Sequence, residues 1–293
     1  MSSGISVICF AASYTISLGL ELWGVWASIR WRRFAVIGTT AAGIVAHTWY
    51  LAHRVKEMPS APLSSQHDWY LTAAWALAII YLAAVCYYPR STLGLFLMPA
   101  TLALIAAAQF ASMTPLATFQ APRFWGLVHG VLLLVGTLAV LIGFLTGTMY
   151  LLQSYRLKHK LLPGHRVRLP SLEWLGRSNS RCLGIATMCV GGGFFAGLVS
   201  RLARQEGDNL VPWNDPVVMS LTAMFAWLLL AEVFRLVYPS ARQGRKVAYL
   251  TVAAILFLLL VLLNFNLSDS LHQAPNVEPT IITTGLWQHG GVR

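Results

Sequence analysis

Eight apolar runs punctuate this sequence, at residues 4–26, 34–54, 69–88, 93–112, 124–153, 182–202, 217–238 and 247–265, with polar or basic turns between them. A hydrocarbon core takes about 20 apolar residues per helix, so each run is long enough to cross one. The pattern predicts an all-α integral membrane protein, a bundle of about eight transmembrane helices. Residues 1–272 form a single polytopic membrane domain in this reading, and 273–293, with few apolar positions, form a mobile extracytoplasmic tail. The first run lacks a basic leader and a small-residue cleavage site, which predicts a retained helix and not a signal peptide. No repeat with a period of 20–50 residues is evident.

Charge then sets the orientation. Only 11% of the residues are charged, against about 25% in a soluble domain, which leaves no room for a large soluble module. Of the 21 Lys and Arg residues, 15 fall in the turns after runs one, three, five and seven, and seven of those lie within 155–181. Positive charge concentrates on the cytoplasmic side, so both termini are expected on the non-cytoplasmic face. The net charge of +11 follows from this topology. The bilayer is the expected partner and nucleic acid is not. Cys9, Cys86, Cys182 and Cys189 lie in or beside apolar runs without a C-x-x-C or C-x-x-C-H pair. That spacing sets aside thiol–disulfide exchange and covalent haem attachment and points to packing roles.

The stretch 211–272 carries the candidate chemistry. It opens with Val211-Pro212-Trp213-Asn214-Asp215-Pro216, crosses twice, and surfaces at Ser270-Leu271-His272. Two crossings return a chain to the face it left, so Trp213, Asp215 and His272 share the outer face. His129 joins them, five residues into run five and so about 7 Å below its start. Gly126 and Gly130 beside it form a small-x-x-x-small pair that admits a close neighbour. Two neutral imidazoles on one face of an apolar bundle can ligate haem iron axially. They suit structural zinc poorly, because zinc takes four ligands. Blander roles exist for each residue. His129 can hydrogen-bond a neighbouring helix, and His272 can be an ordinary loop histidine. Asp215 and Pro216 read as N-cap and first residue of a helix. Trp213 suits either the interfacial belt or stacking on a porphyrin. Inside the membrane, Glu232 and Arg235 are spaced for an ion pair. His47 is either a helix-packing hydrogen bond or a further, intramembrane haem ligand.

Longer segments carry a family resemblance. They are Leu93-Gly94 with Met98-Pro99; Trp125-Gly126-Leu127-Val128-His129 running to Met149-Tyr150-Leu151-Leu152-Gln153 and Leu157-Lys158-His159-Lys160; Leu169-Pro170-Ser171-Leu172-Glu173; Trp213-Asn214-Asp215-Pro216; Gly244-Arg245-Lys246-Val247-Ala248-Tyr249-Leu250; and Ser270-Leu271-His272-Gln273. In these, over most of its length, the chain resembles the CcsA/HemX-type cytochrome c assembly proteins, haem-handling membrane proteins of the tryptophan-rich (WWD) superfamily. The resemblance implies non-covalent b-type haem with His129 and His272 as axial ligands to its iron, and Trp213 and Asp215 in the haem-facing motif. It also implies a plasma membrane (bacterial inner membrane) or organellar location, a partner membrane protein of cytochrome c assembly, and apocytochrome c as client. The chain departs from the family in having one tryptophan before Asp215-Pro216, followed by Val217-Val218 where Lys-Glu is usual.

Two further readings remain open. One is a non-catalytic membrane subunit or accessory factor of a respiratory or biogenesis complex on the same fold, which the reduced tryptophan motif favours. The other is a small-solute transporter, drawing on intramembrane Glu21 and His47, although repeated halves and broken helices are not evident. No self-contained catalytic motif is present. Enzymatic activity, as part of a haem-lyase or synthetase system, is left open.

Overall fold

In the computed structural model, described for residues 6–26, 31–57, 65–88, 92–113, 123–160, 167–202, 214–238 and 244–267, regular structure is entirely helical. The helices are α1 (Val7–Trp26), α2 (Arg32–Glu57), α3 (Gln66–Tyr87), α4 (Gly94–Phe110), α5 (Arg123–Lys158), α6 (Leu172–Leu202), α7 (Pro216–Val237) and α8 (Arg245–Leu267). Seven are long and apolar enough to cross a membrane, and α4 is apolar but has 17 residues. Its surface agrees with that setting: Phe110 is 90% exposed and Met188 80%, which water would penalise and lipid would not. The protein is a multi-pass helical membrane bundle.

The bundle has two apolar clusters joined by α5. Leu134, Leu138, Leu145 and Met149 of α5 pack with Tyr14, Leu71, Leu77, Met98 and other residues of α1–α4. On another face of α5, Ala139 and Val140 pack with Leu183, Val190, Met224, Leu228 and Leu258 of α6–α8. Around this helix, α1 packs on α2 and α4, α3 on α2 and α4, α6 on α5 and α7, and α8 on α5 and α7.

Helix bounds differ most from the sequence pattern at α6, which starts ten residues before the expected 182. The basic stretch before 182 is therefore partly helical. Ser171 caps it, its Oγ accepting from Trp174 N–H at 3.3 Å, and Glu173 lies in the first turn, where a negative charge suits the helix dipole. An exposed Glu173–Arg177 pair at 3.5 Å follows, of small energetic value. Hydropathy marks where lipid ends, and a helix can continue into water. That extension is tied to the α3–α4 turn. Trp174 Nε1 donates to Tyr88 Oη at 3.0 Å, and Thr92 N–H donates to the Arg168 carbonyl at 3.0 Å.

Several polar residues inside the bundle are matched to each other. Glu21, 4% exposed, accepts Tyr81 O–H at 2.8 Å on Oε1 and pairs Arg32 Nη1 at 3.0 Å on Oε2. This carboxylate therefore links α1, α2 and α3, and Gly94 of α4 packs so close that a Cβ there would lie 2.8 Å from Glu21 Cγ. Ser17, Thr39 and Thr40 bond across the α1–α2 contact. Thr251 donates to Asn179 Oδ1 at 2.8 Å between α8 and α6. The expected Glu232–Arg235 pair forms on α7. Glu21→Ala strands Arg32 and the Tyr81 hydroxyl together, so we expect a loss of about 2–3 kcal/mol and a lower thermal midpoint in nanodiscs. Tyr81→Phe should cost about 1 kcal/mol in the same measurement.

Candidate functional site

Side-chain bridges bring one end of several helices to a common rim. Arg54 of α2 grips Asp68 of α3 with Nε to Oδ1 at 3.0 Å and Nη2 to Oδ2 at 3.1 Å. Gln66 of α3 donates to the Phe265 carbonyl of α8 and accepts from Ser112 N–H, just past α4, at 3.3 Å. Asn266 of α8 donates to Tyr70 Oη at 2.6 Å, and Asn264 to the Pro216 carbonyl of α7 at 3.3 Å. The end of α8 thus lies between the starts of α3 and α7.

His129 is on the first turns of α5 and packs onto α6. Its Nδ1 is 2.7 Å from the Gly193 carbonyl, so Nδ1 carries the proton and donates it. A carbonyl partner at Nδ1 fixes ring plane and tautomer, leaving the ring lone pair on Nε2. The contact depends on Gly197, one turn further along α6. A Cβ there would sit 2.9 Å from His129 Nδ1 and 3.0 Å from Cε1. The half-buried imidazole therefore packs against the bare backbone of Gly193 and Gly197. The helix-to-helix hydrogen bond anticipated as one role for His129 is present, and it leaves the ring in the tautomer a metal ligand uses.

Asp215 caps α7. Its Oδ1 accepts from Val217 N–H at 2.9 Å and Val218 N–H at 3.4 Å, with Pro216 in the first turn and the residue only 4% exposed. The capping explanation thus accounts for Asp215-Pro216 locally. Trp213 and His272 lie outside the described residues, as does the 273–293 tail. Comparison with family models, curated proteins and solved structures gives no match. The site is therefore read from its own geometry and from the motifs in the chain.

His47 lies two turns below Arg54 on α2 and has no exposed surface. Its ring stacks on Phe10 at 4.0 Å with 3° between planes, and Nδ1 is 3.4 Å from Tyr14 Oη. Among the described residues its Nε2 has no hydrogen-bond partner. The α1 contacts account for its position, and the other ring nitrogen remains chemically available. Among the described residues no three His, Cys, Asp or Glu side chains gather as a cation site, and all four cysteines are free.

One site residue escaped the sequence reading. His67 lies in the polar segment between the second and third apolar runs and is not among the candidate residues named from the sequence. In the structure it is fully buried in the first turn of α3. The signal was present in Ser65-Gln66-His67-Asp68: Ser65 Oγ accepts from Asp68 N–H at 3.1 Å, the serine half of a capping box. It starts the helix three residues before the expected 69.

Replacing Gly197 by Leu forces the imidazole off Gly193, and we expect α5–α6 to separate at this rim. Disulfide cross-linking of cysteine pairs placed one turn deeper should slow markedly. Asp215→Ala removes the cap and should cost about 1 kcal/mol, seen as a lower melting temperature.

Proposed function

We propose that this protein is a haem-handling membrane protein of cytochrome c biogenesis, presenting b-type haem at the outer face of a plasma or organellar membrane between His129 and His272. The observation that carries this reading is the orientation of His129. Its Nδ1–H on the Gly193 carbonyl at 2.7 Å is the outer-shell hydrogen bond that orients a metal-binding imidazole and raises its basicity. The family resemblance in the helix-five segment and in Ser270-Leu271-His272 supplies the rest.

The residues present fit such a group. Gly193 and Gly197 let Leu133 and His129 of α5 seat against α6, and Phe124 and Trp125 precede the histidine on α5, where they could stack on a flat ring. Haem, when bound, supplies the vinyl carbons to which a client cytochrome's cysteine thiols add. The part of this chain is to bind and orient. His129 holds its ring at a fixed angle to α6. Asp215 fixes the start of α7 at the rim. The apolar bundle below keeps water from the face of the ring. Apocytochrome c is the client in this reading, and a second membrane protein of the assembly machinery completes the site.

A second reading has its own support. The α5–α6 contact and the α7 cap give His129 and Asp215 full structural duties, and Val217-Val218 stand where the family carries charged residues. On that reading the chain is a non-catalytic subunit or accessory factor of a respiratory or biogenesis complex.

Visible spectroscopy of the full-length protein in nanodiscs separates the two. Haem-loaded wild type should show the Soret and α bands of bis-imidazole iron, and both His129→Ala and His272→Ala should change them. Unchanged bands in the double variant, or no bound haem in the wild type, would overturn the haem reading. The accessory reading is recognised by intact complex abundance in His129→Ala alongside loss of assembly in Gly126→Leu.

A further inference from the structure

The end of the bundle where α5 finishes and α8 begins carries positive charge that the chain does not neutralise. The turns after α1, α3, α5 and α7, at residues 27–31, 88–93, 159–171 and 238–244, contain no Asp or Glu. Three acids stand in the adjoining helix ends, and each is engaged already: Glu21 by Arg32, Glu173 by Arg177 and Glu232 by Arg235. Among the described residues no carboxylate pairs with Arg156 or Lys158 of α5, or with Arg245 or Lys246 of α8.

A contact between the two helices gathers these cations. Arg245 Nε donates to Ser154 Oγ at 2.5 Å, and its Nη2 to the Ser154 carbonyl at 3.4 Å. Both acceptors are neutral, so the guanidinium is positioned without being neutralised, and three of its five N–H groups remain. Lys158 is one turn past Ser154 on the same face of α5, and Lys246 adjoins Arg245. Like charges this close repel, and an anion among them removes that cost. The arginine fork matches the oxygens of a phosphate.

The surroundings select the kind of anion. Tyr155, 57% exposed, follows Ser154, and Leu157, 60% exposed, stands between the α5 cations. Tyr249, 61% exposed, lies one turn along α8 from Arg245. Cations interleaved with exposed apolar side chains at the ends of membrane helices suit the interfacial layer, where aromatic rings sit at headgroup level. Anionic headgroups are drawn to such clusters. We propose that the α5–α8 end binds an anionic phospholipid, Arg245 gripping its phosphate, Lys158 and Lys246 adding charge, and Tyr155 and Tyr249 flanking the headgroup. The bound lipid bridges α5 and α8, whether or not the protein handles haem.

The test uses delipidated full-length protein in nanodiscs of phosphatidylcholine, with or without phosphatidylglycerol, read by thermal melting and by native mass spectrometry of retained lipid. Wild type should retain phosphatidylglycerol about tenfold over phosphatidylcholine and melt higher in its presence, with the difference shrinking in high salt. Arg245→Gln combined with Lys158→Gln should abolish the preference. A merely destabilised variant melts lower in both lipids, so the difference between lipids is the readout. Arg33→Gln combined with Arg181→Gln removes the same charge elsewhere at this end and should keep the preference. Equal retention of both lipids by wild type overturns the proposal, as does equal loss in the two double variants, which would spread the attraction over the whole basic rim. It also falls if inorganic phosphate raises the melting temperature as far as the lipid does. A wild type indifferent to lipid, but cross-linked through Lys246→Cys to a protein in native membranes, assigns these cations to an acidic protein partner instead.

Discussion

Close contact between α5 and α6 is the constraint on which the molecule depends, and absent side chains create it. At Gly136 a Cβ would come within 2.7 Å of Val190 Cγ2 and 3.2 Å of a backbone nitrogen. At Gly193 it would meet Leu133 at 2.7 Å. Lipid gives helices no hydrophobic reason to associate, so van der Waals packing and interhelical hydrogen bonds hold them together. Glycine lets two long backbones approach closely enough for both. The 36 residues of α5 and 31 of α6 then form an antiparallel spine, with α1–α4 on one side of α5 and α7–α8 on another.

The same packing prepares the chemistry. His129 reaches the Gly193 carbonyl only because Gly197 leaves the path clear, so the residues that seat the helices also fix the imidazole. A carbonyl on a membrane helix already accepts its own backbone bond, and its second lone pair is open to a neighbour. The histidine uses that lone pair. At the opposite end, Trp174 on Tyr88 and Thr92 on Arg168 tie the helix extension beyond the membrane to the α3–α4 turn. That end of the spine is thereby fixed to the α1–α4 half.

Within the α1–α4 half, polar side chains behave as the low-dielectric interior requires. Glu21 engages both carboxylate oxygens, and Asp68 engages Arg54 in two-pronged fashion. Against these saturated groups the Nε2 atoms of His47 and His67, without a partner among the described residues, stand out. Burial without a partner is costly for a ring nitrogen, and such costs concentrate where function is held.

Hydropathy by itself determined the membrane-spanning helical class and the approximate position of every helix, because the requirement for apolar length is local. The two helices between them, α5 and α6, put His129 and Asp215 at one end of the bundle. Spacing alone identified the Asp215 cap and the Glu232–Arg235 pair, since both close within a single turn. Tertiary structure decided the rest. The ten-residue continuation of α6 into water is invisible to an apolar window. Whether His67 is a loop residue or a sealed imidazole depends on Asp68, Arg54 and the end of α8 meeting across helices up to 199 positions apart in sequence. No local pattern encodes such a meeting, because it is produced by the way eight helices pack.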